Sequence, residues 1–288
     1  QGEVVMIRNA LRAVALIVVA CGLARMAAAE DKWMTLPVPG PMPAASESGY
    51  ATVNGIQMYY AIYGAGDPVI LLHGGLGNAD YWSNQVPELA KSHKVIVADS
   101  RGHGRSTRNA DPYSYALMAS DVIALMDHLK IDKAALIGWS DGGIIGLDIA
   151  IHHPERLSKL FAFGANYNVG GLREDTGNSA VFNAYIEQCG KDYAKLSKTP
   201  TEYEAFLNQI SEMWATQPDY KKEELQGIKV PTYIADGQYD EGIKQEHTRE
   251  MAQLIPNATL VVMPNLSHFA MWQDPTIFNR ALAAFLAN

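Results

Sequence analysis

Ala134-Ala135-Leu136-Ile137-Gly138-Trp139-Ser140-Asp141-Gly142-Gly143 joins an apolar run to a helical pattern that begins near Ile144. The run reads as a buried strand ending at Gly138. The junction matches G-x-S-x-G, a sharp strand-to-helix turn that strains the serine and lifts its hydroxyl out of a sheet. The flanking Gly138 and Gly142 suit such a turn, because a side chain at either would clash with the neighbouring strand and helix. Ser140 is therefore the candidate nucleophile. The N–H of Asp141, at the start of the helix, is free to bind a developing oxyanion.

Around this junction the elements alternate. Residues 50–53 and 56–63 read as strands about Asn54-Gly55, a hairpin-turn dipeptide. Strands follow at 69–72, 94–99, 134–139 and 157–164. Between them lie helical patterns at 82–92, 114–129 and 143–152. That rhythm implies βαβ units and a mostly parallel sheet. It stops after Gly164: residues 166–226 hold no strand pattern, only helical segments near 179–189, 203–216 and 219–226. The rhythm returns with strands at 230–235 and 259–263 and helices at 244–254 and 275–286. The expected architecture is α/β, an eight-stranded, mostly parallel sheet flanked by helices, with a helical cap insertion at about 166–228. Ligands of open α/β sheets bind beyond the carboxyl ends of the strands, where Ser140 lies and where the cap would roof it.

The 288 residues suit one large domain of about 50–288. A net charge of −8 argues against a nucleic-acid surface. Cys21 and Cys189, the two cysteines, build neither a disulfide framework nor a metal site. Arg8 and Arg12, an apolar run at 13–23 and Ala27-Ala28-Ala29 describe a secretory signal peptide, residues 1–29. The expected location is periplasmic or secreted, with no stable membrane association after cleavage. A lipoprotein anchored at Cys21 is the alternative. Residues 30–49, with Pro37, Pro39, Pro41 and Pro43, read as an extended linker.

A serine hydroxyl needs a base, and for such a turn the chain order is Ser, then Asp or Glu, then His. His152 and His153 sit at the far end of the helix that Ser140 starts, roughly 15 Å away at 1.5 Å per residue. His247 falls in a helical pattern with Glu246 and Arg249 and reads as part of a solvated face. His268 lies in a loop after strand 259–263 and is the candidate base. The residue that orients it is sought in Asp236-Gly237-Gln238-Tyr239-Asp240-Glu241. Asp240, in the loop proper, is preferred over Glu241 and over Asp236, which can instead bond the turn backbone. The second oxyanion donor comes from Gly75 or Leu76, after strand 69–72. His73 reads as a pin for that loop, and Asp99 and Arg101 as holding the next one. No metal or organic cofactor is required.

Taken together, His73-Gly74-Gly75-Leu76-Gly77, Asp99-Ser100-Arg101-Gly102-His103-Gly104-Arg105-Ser106, the turn at 138–142, Asp240 and Ser267-His268-Phe269 resemble the α/β-hydrolase fold family over residues 50–288. Gly138-Trp139-Ser140-Asp141-Gly142-Gly143 and Gly164-Ala165-Asn166 further resemble its valacyclovir hydrolase (biphenyl hydrolase-like) branch. That resemblance implies a serine esterase acting on small carboxylic esters, amino-acid esters among them. It implies substrate contacts from Trp139 and from Asp141, whose carboxylate would pair with a substrate cation. The alternative for Asp141 is a capping role at its helix. The same triad serves lactonases and carbon–carbon bond hydrolases, and a non-catalytic ligand receptor is the remaining reading. The cap aromatics Tyr167, Phe182, Tyr185, Tyr203, Phe206 and Trp214 either line the acyl pocket or pack the cap onto the sheet.

Overall fold

A computed structural model of the protein describes residues 31–287. The expected signal peptide and the alternative anchor at Cys21 lie outside the described residues. Eight strands form one sheet: β1 (Glu47–Val53), β2 (Ile56–Tyr63), β3 (Asp67–Leu72), β4 (His93–Ala98), β5 (Ala134–Trp139), β6 (Leu157–Phe163), β7 (Thr232–Gly237) and β8 (Thr259–Met263). Their spatial order is β1-β2-β4-β3-β5-β6-β7-β8. The β1–β2 and β2–β4 pairs are antiparallel and the remaining pairs parallel.

β5 is buried along its whole length and sits between β3 and β6. A strand covered on both faces must be apolar throughout, which is why 134–139 is the plainest strand in the sequence. Helix α1 (Val86–Leu89) packs on β4. Helix α2 (Tyr115–His128) packs against α3 (Asp141–His152), which in turn covers β5 and β6. The cap contributes α4 (Ala180–Leu196), α5 (Tyr203–Trp214) and α6 (Lys222–Gln226), and no strand of the sheet lies between Phe163 and Thr232. Helices α7 (Gln245–Leu254), α8 (Ala270–Gln273) and α9 (Pro275–Ala287) complete the described chain. Among the described residues no helix is long and apolar enough to cross a membrane.

Three local readings are corrected. The helical pattern at 82–92 is a 3-10 turn, Ala79–Trp82, and the short α1, because Pro87 lacks the N–H that a longer helix would need there. The stretch read as a linker is tied down: Lys32 pairs with Asp274 at 2.6 Å, and β1 already starts at Glu47. His247 is buried rather than solvated. It stacks on Tyr167 at 4.3 Å, and its Nε2 accepts the Tyr167 N–H. Burial therefore holds its pKa down to about 4.

The turn after β5 shows why glycine brackets the serine. A Cβ on Gly138 would lie 2.2 Å from the Gly142 carbonyl oxygen, and one on Gly142 would lie 2.2 Å from that of Leu72. Both obstacles are backbone, so neither can swing aside. Gly142→Ala is expected to cost roughly 3 kcal/mol through overpacking. For a chain of this size that is about 6–12 °C in Tm, measurable by thermal unfolding.

Candidate active site

Ser140 stands at the N-cap of α3 with φ 53° and ψ −119°. A non-glycine residue in such backbone costs about 1–3 kcal/mol and persists only where its surroundings impose it. Here the imposing contacts are the Ser140 N–H on the Phe163 carbonyl (2.8 Å) and the Ile144 N–H on the Ser140 carbonyl (3.0 Å). Ser140 thereby reaches a cavity of about 290 Å³ at the carboxyl edge of the sheet. His268 lines the same cavity.

His268 and Asp240 come from two loops, after β8 and β7. Their side chains meet at 2.6 Å, His268 Nδ1 to Asp240 Oδ2, in a buried contact. The other carboxylate oxygen, Oδ1, accepts the N–H groups of Gly242 and Ile243, both at 2.7 Å. Burial alone would raise the Asp240 pKa. The charge and hydrogen bond of His268, with the backbone donors, outweigh that and hold it below the ordinary carboxylate value. Burial would likewise lower His268, but the Asp240 charge and hydrogen bond raise it above the ordinary histidine value of 6.5.

The two other acidic candidates sit beside this pair. Asp236 accepts the Gly237 N–H on Oδ1, and Gln245 and Thr248 bond its Oδ2, so it shapes the turn. Burial and the Asp240 charge push its pKa well above the usual range. Glu241 Oε2 accepts the backbone N–H of His268 at 3.1 Å. Neither makes a side-chain bond to the imidazole. His73 pins its loop: Nδ1 meets the Gly74 carbonyl oxygen at 2.7 Å, and Nε2 accepts the Ser100 N–H. Asp99 accepts the N–H groups of Ala79 and Arg105, and Arg101 forms a buried pair with Asp121.

Gly75, Leu76 and Asp141 all line the cavity. Leu76 has φ 64°, a left-handed residue that turns the loop over Ser140. The N–H groups of Gly75, Leu76 and Asp141 have no partner among the described residues. Donors left open on a cavity wall are what a developing oxyanion needs.

The Asp141 side chain does not cap its helix. Its Oδ1 accepts the Tyr115 hydroxyl at 2.8 Å, and the Trp214 indole N–H lies 3.1 and 3.0 Å from its two oxygens. No cationic side chain pairs with it among the described residues. Burial pushes its pKa up to about 6, against the pull of those two donors. The sequence singled out Asp141 but gave no sign of Tyr115 or Trp214 as its partners, which lie 26 and 73 residues away.

Trp139 is buried and forms one wall, its ring 5.4 Å from Tyr185 and 5.9 Å from His268. Of the six cap aromatics, Phe182, Tyr185 and Trp214 line the cavity, while Tyr167, Tyr203 and Phe206 pack the cap. Leu172, Thr176 and Ile186 add to a largely apolar lining, which also includes Arg173, Asn166 and Gln217. Cap and sheet meet at the loop after β3: the Tyr185 hydroxyl donates to the Gly75 carbonyl at 2.7 Å.

Known proteins resemble this chain in sequence and in fold. A family model described as the alpha/beta hydrolase fold matches residues 67–192. A putative carbamate hydrolase RutD of Caulobacter segnis is 30% identical, over 82% of this chain and 97% of its own. The 2-hydroxy-6-oxo-6-phenylhexa-2,4-dienoate hydrolase of Burkholderia cepacia is 28% identical, over 85% of this chain and 98% of its own. Among solved structures, the enol-lactonase of Burkholderia xenovorans LB400 superposes with a TM-score of 0.67 at 25% identity, over 83% of this chain and 100% of its own.

Proposed function

The chain belongs to the α/β-hydrolase fold family of hydrolases, and from that premise we propose that it cleaves small carboxylic esters by acyl transfer through Ser140. The observation that carries this reading is the buried 2.6 Å contact of His268 with Asp240, facing the cavity that Ser140 enters. Ser140 attacks the ester carbonyl while His268 Nε2 takes its proton. Asp240 stabilises the imidazolium that forms, and the N–H of Asp141 with that of Gly75 or Leu76 receives the oxyanion. His268 then returns the proton to the leaving alcohol and activates the water that releases the acid. The substrate is a small molecule, since a chamber of about 290 Å³ sits at the lower end of ligand-pocket sizes. With residues 1–29 read as an export signal, the reaction takes place in the periplasm or outside the cell.

Asp141 sets the preference within esters. A buried carboxylate with neutral donors as its side-chain partners attracts a cationic group on the substrate, which supports amino-acid esters as substrates. The named relatives supply the second reading, a lactonase or carbon–carbon bond hydrolase on the same residues. A dienoate substrate carries a carboxylate, which the Asp141 charge opposes, while Arg173, paired with Asp175, is the cation that lines the same chamber.

The test is a panel of p-nitrophenyl esters, an α-amino-acid ester, a lactone and an anionic dienoate. Esters cleaved with the amino-acid ester preferred, and that preference lost in Asp141→Ala, support the reading. Turnover of the dienoate alone would sink it. The pH dependence adds a second check. The working base is neutral His268, whose pKa is raised above 6.5. Activity is therefore expected to fall as pH drops through a midpoint above 6.5. The Asp141 charge contributes to that rise, so Asp141→Asn is expected to move the limb of kcat/KM to lower pH.

A further inference from the structure

Trp33 and Thr35, near the start of the described chain, bridge the two loops that carry His268 and Asp240, with Gln273 between. Gln273, the last residue of α8, is buried and joins three segments. Its Oε1 accepts the Ser267 N–H at 2.8 Å, and its Nε2 lies 2.9 Å from the Ser267 hydroxyl oxygen. The same Nε2 lies 2.9 Å from the Thr35 carbonyl oxygen and 3.3 Å from that of Trp33. Ser267 immediately precedes His268. On the other side, the Trp33 ring packs on Tyr239, with centroids 4.9 Å apart, and Tyr239 immediately precedes Asp240. Lys32 fastens the arm by its pair with Asp274.

We propose that Trp33 and Gln273 are positioning residues, and that residues 32–35 form a clasp that fixes the loop at 264–269 against the loop at 237–243. The proposal rests on the reading of His268 and Asp240 as base and orienting acid. Within that reading its logic is geometric. Both partners of the 2.6 Å contact stand on loops; Tyr239, before Asp240, packs directly on the arm, and Ser267, before His268, is tied to it through Gln273. Misplacing a catalytic group by about 1 Å costs on the order of 100-fold in rate. A contact between two loops therefore gains from an outside brace that sets their spacing. The two amide hydrogens of Gln273 serve three acceptors, one going to the Ser267 hydroxyl oxygen and the other shared by the Thr35 and Trp33 carbonyls, so a slip of the arm moves Gln273 and through it the neighbour of His268.

The experiment uses the full chain and the variants Trp33→Ala, Trp33→Phe and Gln273→Ala. Three quantities are compared with wild type: kcat and KM on the best ester, the acid limb of kcat/KM, and the low-field proton NMR signal of His268 Nδ1–H. Trp33→Ala is expected to lower kcat by about 10- to 100-fold with KM changed less than twofold. Because Asp240 is what raises the His268 pKa, a loosened contact also moves the limb to lower pH and broadens or removes the low-field proton. Trp33→Phe keeps a ring on Tyr239 and restores all three. Trp33 is only half-buried, so its variant keeps the fold even where Gln273→Ala does not. A Trp33→Ala protein with wild-type kcat, limb and low-field proton, lowered only in Tm, would overturn the clasp. The NMR signal does not require turnover. If Ser140→Ala retained full activity, the acyl-transfer reading would fail, while the low-field proton of Trp33→Ala would still decide the clasp.

Discussion

Ser140→Ala is expected to lower kcat on esters by roughly 10⁴- to 10⁶-fold, the range in which loss of a nucleophile falls for such triads. The substitution removes one oxygen and leaves the turn intact. The bonds that impose the strained conformation are backbone ones, Ser140 N–H to Phe163 and Ile144 N–H to Ser140, and alanine makes both. Tm is therefore expected to stay close to wild type, which separates lost chemistry from lost fold. Whatever activity remains reports the open N–H groups of Asp141, Gly75 and Leu76, since oxyanion stabilisation and binding alone leave a residual rate over water. The measurement is p-nitrophenyl ester hydrolysis beside labelling by a fluorophosphonate, which reacts with an activated serine. A variant that keeps more than about a hundredth of the rate would mean that another group attacks, far outside the expected range.

Asp240→Asn is expected to cost about 10⁴-fold in kcat, and the structure explains why an isosteric change is so severe. Oδ1 accepts the N–H groups of Gly242 and Ile243 at 2.7 Å. Those two donors hold the asparagine oxygen at that place, so its NH₂ takes the place of Oδ2. An NH₂ facing His268 donates to Nδ1 and forces the imidazole proton onto Nε2, the atom that must accept from Ser140. The imidazole is then held in the tautomer that cannot act as base. Its imidazolium also loses the charge that raised its pKa. A pH–rate profile of the variant is the check. A loss smaller than tenfold, with the acid limb unmoved, would transfer the orienting role to Glu241 or Asp236.

The parts of this molecule that were legible in the sequence are those where local chemistry and tertiary structure ask for the same thing. β5 is apolar because it is buried on both faces, and Gly138 and Gly142 are glycine because backbone lies 2.2 Å from where a Cβ would go. His268 and Asp240 were found from chain order and loop position, since both follow strands ending at one sheet edge. What stayed hidden depends on contacts between distant segments. A helical pattern with Glu246 and Arg249 around it gives no hint that His247 turns inward to stack on Tyr167. α8 is too short to show periodicity. The proline-spaced arm has no pattern at all, yet the residues before its prolines are fixed by Gln273, 238 positions on from Thr35. Asp141 was legible as an acid beside the nucleophile. That its carboxylate bonds Tyr115 and Trp214 is visible only in the fold.

The cap is joined to the sheet at a sensitive place. Tyr185 bonds the carbonyl of Gly75, and the Trp214 ring lies so close to Gly75 that a Cβ there would come within 2.3 Å of it. Tyr185 and Trp214, which line the chamber, thus also hold the loop of Gly75 and Leu76, the proposed oxyanion donors. The cap is therefore not an exchangeable cassette. Grafting another relative's segment 166–228 to change acid preference would alter turnover on every substrate at once. Redesign confined to Leu172 and Ile186, whose side chains line the chamber without bonding either loop, offers the route by which selectivity can be changed while the rate on a small ester stays fixed; Thr176 is unsuited to it, because its hydroxyl donates to the Glu241 carbonyl beside Asp240.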